Sequence, residues 1–246
     1  PDGPAKPNEF ARQNWDAESF LHDPETGQFW VGYEHQHSIW RYGPSLARRE
    51  AAHFPEATKN WPENEGPEAM LHLPDGRFLV FSEAAEYSKG GYQALIFASD
   101  PAEPGSKAVR FGYQPPKGYN LTDAAILDEK TALMLHRRFT PFDGVSAILS
   151  TAQLKDFQPG KIATSVPIAT LRPPLKVDNM EALAVTRDRD QIFVWIASDD
   201  NFSALQESLL FKFRLLKGKV AQTKPEPERK NEKAGASPGF STFESD

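Results

Sequence analysis

Apolar runs of five or six residues, each closed by a turn signal, recur along the chain in four similar units. In the first, Asp16-Ala17-Glu18-Ser19-Phe20 leads to Phe29-Trp30-Val31-Gly32-Tyr33-Glu34 and then Ser38-Ile39-Trp40-Arg41-Tyr42. The second reads Pro67-Glu68-Ala69-Met70-Leu71, Phe78-Leu79-Val80-Phe81-Ser82-Glu83 and Tyr92-Gln93-Ala94-Leu95-Ile96-Phe97. The third opens at Thr122-Asp123-Ala124-Ala125-Ile126, runs Ala132-Leu133-Met134-Leu135-His136-Arg137-Arg138 and ends Val145-Ser146-Ala147-Ile148-Leu149. The fourth opens at Met180-Glu181-Ala182-Leu183, continues from Ile192 to Asp200 and ends Ser208-Leu209-Leu210-Phe211-Lys212-Phe213. Runs this short carry no 3.6-residue period, so they predict strands rather than helices. Turn residues such as Asp23-Pro24-Glu25-Thr26-Gly27 and Pro74-Asp75-Gly76 join the first two strands of a unit as hairpins.

The first strand of each unit opens on an acid: Glu18, Glu68, Asp123 and Glu181, spaced 50, 55 and 58 residues apart. The second strands, ending at Glu34, Glu83, Arg138 and Asp199, are nearly continuous apolar runs and are expected to be buried on both faces. A sheet unit repeated at this interval predicts an all-β fold, a β-propeller with four recognisable blades. The repeat spans 16–216. Residues 1–15 are expected to form an N-terminal connection or edge strand, and 217–246, rich in Lys, Glu and Pro, a solvated charged tail. Because the pattern begins abruptly, the expectation is an N-terminally incomplete larger propeller, with a small complete ring as the alternative.

Composition then narrows the chemistry. A net charge of −6 argues against a nucleic-acid partner. No apolar run approaches the roughly 18 residues of a membrane span. With no cysteine, disulfides, thiolate metal sites and cysteine nucleophiles are excluded.

Innermost propeller strands line an axial channel, so the four leading acids are expected to converge there. Converging carboxylates repel unless a cation or protons intervene, and an all-oxygen set suits Ca²⁺. Glu18, Glu68, Asp123 and Glu181 are therefore the candidate metal ligands. The bland alternative is that each acid binds backbone amides at a blade junction. The second-strand ends face the mouth, where Glu34, Glu83, Asp199, Asp200 and Asn201 are candidate substrate-binding groups. Arg137 and Arg138, the only paired arginines at such an end, are candidates for an anionic ester group, or else for ion pairs with the channel acids. His35 and His37 are spaced as a metal pair would be on a strand, without an evident third ligand; His136, inside an apolar run, reads as a hydrogen-bonded core residue. No Gly-x-Ser-x-Gly occurs, which speaks against a serine nucleophile elbow.

Two stretches carry a family resemblance. They are Asp178-Asn179-Met180-Glu181-Ala182-Leu183-Ala184 with the following Ser198-Asp199-Asp200-Asn201-Phe202 and Leu205-Gln206, and the Asp16-Ala17-Glu18 unit with its Phe29–Glu34 strand. Together they resemble the bacterial "esterase-like activity of phytase" family over about Asp16 to Leu215. The resemblance implies a secreted or periplasmic propeller with an acid-lined channel. It also implies a hydrolase of phosphate or carboxylate esters taking a small anionic ester, and the channel acids point to metal assistance in any such hydrolysis. A non-catalytic propeller binding a ligand or protein at its mouth is the alternative. Asp123 departs from the Glu of its sister units.

Overall fold

The computed structural model describes residues 16–216; the expected N-terminal connection and charged tail lie outside the described residues. The described chain is all-β apart from two short 3₁₀ turns, and its sixteen strands form four sheets arranged as propeller blades.

Blade 1 is the meander β1 (Ala17–His22), β2 (Phe29–Tyr33), β3 (Ser38–Tyr42) and β4 (Arg49–His53). Blade 2 is β5 (Pro67–His72), β6 (Phe78–Glu86), β7 (Tyr92–Phe97) and β8 (Ala108–Gln114). Blade 3 is β9 (Asn120–Asp128), β10 (Thr131–Thr140), β11 (Gly144–Gln153) and, on its outer edge, β13 (Val166–Leu171). Before the chain reaches β13, β12 (Ile162–Thr164) crosses back and pairs in parallel with β8, capping blade 2. Blade 4 is β14 (Met180–Asp188), β15 (Gln191–Ser198) and β16 (Leu210–Leu215).

The innermost strands β1, β5, β9 and β14 pack in sequence around the axis. Between successive blades lie apolar interfaces. Trp30, Ile39 and Trp61 meet Met70, Val80 and Leu95 between blades 1 and 2. Phe81, Phe111 and Tyr113 meet Leu121 and Met134 between blades 2 and 3. Leu133, Leu135 and Leu149 meet Leu183, Val194 and Ile196 between blades 3 and 4. Each fully buried large side chain stabilises the fold by about 1.5–3 kcal/mol, and the continuous apolar runs of β6 and β10 supply both faces of their sheets.

β15 is the exception. Val194 and Ile196 are buried against blade 3, but Trp195 and Ala197 on the other face are half-exposed. With Ala182, Ala184 and Leu210 they line a cavity of about 1040 Å³ whose far wall includes Phe20 and His22 of blade 1. Thus, among the described residues, blade 4 packs on one side only, with the cavity between it and blade 1 near the axis. Among the described residues, no strand pairs with the outer edge of β16.

Candidate functional site

The inner strand of each blade breaks register at the same level. Pairing steps from Ala17 to Ser19 in β1, from Pro67 to Ala69 in β5 and from Met180 to Ala182 in β14. The residue left out of the ladder is Glu18, Glu68 or Glu181. Such a β-bulge frees one side chain from strict alternation and re-aims it. One step further along, the ladder sets a second tier. Glu34 N–H donates to Asp16 O at 3.0 Å, Glu83 N–H to Gly66 O at 3.3 Å and Asp199 N–H to Asn179 O at 3.0 Å.

Blade 3 corrects the expected alignment by one residue. Its inner strand steps from Leu121 to Asp123, so the bulged position is Thr122, and the residue opposite Asn120 is Arg137. Asp123 stands one place past the bulge and is half-buried. Its Oδ1 accepts from Ala124 N–H and its Oδ2 from Leu183 N–H in blade 4, both at 2.7 Å. It staples two inner strands, as Ser19 does by donating to Pro67 O at 2.5 Å. Arg138, adjacent to Arg137 and so on the opposite face of β10, lies over the Tyr119 ring at 5.0 Å and pairs with Asp143 at 3.5 Å.

What converges on the axis is therefore Glu18, Glu68 and Glu181 from the bulges, with Glu34, Glu83, Asp199 and Arg137 from the second tier and Asp16 beside them. Carboxylate oxygens of Glu34, Glu68 and Glu83 lie within 4.8 Å of one another, and so do ligand atoms of Asp16, Glu34 and His35. Gly66 permits this approach, since a Cβ there would come 2.6 Å from Glu34 Cα. Arg137 is the cation within the cluster. It hydrogen-bonds Asn179 Oδ1 and lies 3.6 Å from Glu181 and 3.9 Å from Glu83. Asn179 in turn donates to Glu181 at 2.5 Å, and Asn120 to Glu83 at 3.3 Å. Neither Asn120 nor Asn179 was singled out from sequence, because an amide beside a strand start carries no repeat signal of its own.

Burial and mutual repulsion raise the pKa values of Glu18, Glu34, Glu68 and Glu181. Burial, then the charges of Glu34, Asp16, Glu181 and Glu83, pushes Glu18 up to about 7. Glu68 lies well above the ordinary carboxylate range for the same reasons. Glu34 is raised by burial and by Asp16, although the Gly66 amide works the other way. Glu181 is raised by burial even with Arg137 and Asn179 against it. Glu68 thus holds its proton more tightly than an ordinary carboxyl as long as the other acids around it stay charged.

The remaining candidates are dispersed. Asp200 organises the β15–β16 loop, accepting from Phe202 N–H and Ser208 Oγ, both at 2.9 Å, and Asn201 donates to Gln206 in the same loop. His35 lies 3.3 Å from Asp16, while His37 turns away to bond Trp61 O at 3.2 Å, so they do not act as a pair. His136 is fully buried between Tyr113 Oη at 2.7 Å and Ile148 O at 3.2 Å.

Four successive β-blades with a well of carboxylates on their axis define an acid-centred β-propeller. The chain belongs to the Phytase-like family, described as esterase-like activity of phytase, whose model matches residues 4–202. No curated protein matches the chain. Among solved structures, it is similar to an endo-arabinase from Bacteroides thetaiotaomicron, with 15% identity, 80% of this chain and 74% of that chain covered, and a TM-score of 0.51. It is also similar to an α-L-arabinanase from Cellvibrio cellulosa, with 7% identity over 79% and 72% of the two chains and a TM-score of 0.45. The first supports the propeller fold.

Proposed function

We propose that the acidic well holds a divalent cation, Ca²⁺ by its donor chemistry, and that the protein is a metal-assisted hydrolase of phosphate or carboxylate esters. The observation that carries this reading is the approach of Glu34, Glu68 and Glu83 oxygens to within 4.8 Å of one another, from two blades. A hard cation accepting roughly six to eight oxygens fits such a set. Glu34, Glu68 and Glu83 would hold it, with Glu18 and Glu181 alongside. When bound, it would supply Lewis-acid polarisation of a carbonyl or phosphoryl oxygen. Arg137 would orient the anionic group of the ester, Asn179 fixing the guanidinium plane. Family membership supports ester chemistry at this coarse level. A secreted or periplasmic location accords with the reading, because weak extracellular-type calcium sites fill only where calcium is plentiful.

The test is metal analysis of the purified protein, followed by hydrolysis of phosphate and carboxylate esters with calcium and with chelator. Calcium-dependent turnover is expected. Stoichiometric calcium without turnover on either ester class would favour the alternative, a ligand-binding propeller with a structural cation; absence of both effects would overturn the proposal.

A further inference from the structure

The end of the propeller that opens onto the acids carries large apolar side chains exposed to solvent. Phe142 caps the β10–β11 hairpin and Phe202 and Leu205 the β15–β16 loop; all three are almost fully exposed, and Phe139 is 68% exposed. Both connections rise from the acid-bearing ends of their strands. Phe139 is two residues beyond Arg137 and so on the same face of β10. The loop bearing Phe202 is anchored to the well: Asp178, beside the Asn179 that bonds Arg137, accepts from Glu207 N–H at 2.9 Å.

The backbone presents these groups at a cost. Asn201 and Phe202 both adopt left-handed conformations, at φ 49° and 54°. That region disfavours any side chain with a Cβ, and consecutive use of it is a form of strain found at functional sites. Folding gains nothing from a phenylalanine held this way in water.

Charge alone does not select the ligand of such a rim. Arg137 is occupied by Glu83 and Glu181, Arg138 pairs with Asp143, and Lys176 pairs with Glu207 at 2.5 Å, whereas Lys117 and Arg172, at the same end, are exposed without a carboxylate partner among the described residues. An anionic group can be met by these cations, and what the rim adds is apolar surface.

Resting on the hydrolase reading, we infer that the rim formed by Phe139, Phe142, Phe202 and Leu205 receives the uncharged apolar portion of the ester. The substrate class is then an ester with an alkyl or aryl arm.

The inference is tested by calorimetric titration of the calcium-loaded protein with methylphosphonate, octylphosphonate and inositol hexaphosphate. Phe142→Ser and Phe202→Ser are compared with the unaltered chain, since both residues are solvent-exposed and dispensable for packing. Octylphosphonate is expected to bind about tenfold or more tighter than methylphosphonate, with each variant removing much of that gap. Equal affinities, no binding of either alkylphosphonate, or tightest binding of inositol hexaphosphate unaffected by the variants would overturn it. So would sedimentation of the unaltered protein with neutral phosphatidylcholine vesicles that both variants abolish, which would make the rim a membrane contact. Turnover of esters indifferent to chain length and to both variants would sink the rim and leave the hydrolase standing. Rim-dependent binding without calcium-dependent turnover would do the reverse.

Discussion

Arg137 Nη1 lies 3.6 Å from Glu181 Oε1, an ion pair that joins blade 3 to blade 4 at the edge of the acidic well. Blade 3 places Thr122 where its neighbours have a glutamate, and an arginine where they have an acid. It therefore partly neutralises the charge its sister blades bring in.

Replacing Arg137 with Met is expected to destabilise the protein by about 1–2 kcal/mol at neutral pH, because buried carboxylates lose a partner. Arg138→Met, which removes a pair with the exposed Asp143, should change stability by less than about 1 kcal/mol. Denaturant titrations of the two variants check this, and a larger effect at Arg138 would contradict the observed register.

The raised carboxyl pKa values set a pH dependence. Glu18 moves from an ordinary 4.5 to about 7 in the folded chain, and Glu68, Glu34 and Glu181 move in the same direction. Between those values the folded state holds protons that the unfolded state has lost, so stability falls as pH rises. In chelator, the melting temperature is expected to drop from about pH 4.5 to about 7 and then level off with respect to Glu18. Calcium should restore it at neutral pH and do little near pH 4.5, where protons occupy the acids. A melting curve that climbs across this window in chelator would show that the acids do not repel one another as described.

Glu68→Gln and Glu181→Gln are expected to reduce the calcium-induced rise in melting temperature, because a ligand that binds only the folded state stabilises in proportion to its affinity. Asp123→Asn should instead lower stability by about 1–3 kcal/mol, since one of its two amide donors would face an NH₂ group. Its calcium response should be unchanged. Thermal melts of the three variants with and without calcium separate the axial acids from the staple.

Gly66→Ala is expected to push Glu34 out of the well, because the new methyl group would stand 2.6 Å from Glu34 Cα. Overpacking of this kind costs about 1–3 kcal/mol. Calcium titration should show weakened binding even though no carboxylate is removed.

The second strands of blades 1, 2 and 3 were legible because burial on both faces leaves a run of apolar residues that turn chemistry punctuates. The outer strands were not: β4, Arg49–His53, is exposed or half-buried throughout, and β12 joins blade 2 out of sequence order. At the site, three of the four bulged residues were found as repeated glutamates. The third blade misled by one residue because Thr122-Asp123 and Arg137-Arg138 are adjacent polar pairs. A bulge consumes one residue without leaving any mark in the pattern of apolar positions. Only the ladder itself tells Thr122 from Asp123. The same slip transfers the axial role from Arg138 to Arg137.

The bulges also separate two kinds of information in the inner strands. A residue in the ladder is constrained by the sheet, since its neighbours fix which face it meets. Glu18, Glu68 and Glu181 stand outside that constraint, whereas Thr122, bulged in blade 3, is buried and donates to Met180 O of blade 4 at 3.0 Å. Each of the three glutamates can be rewritten while the blades on either side keep their packing. The axial chemistry is thus an alphabet of three letters carried on a scaffold that does not read them.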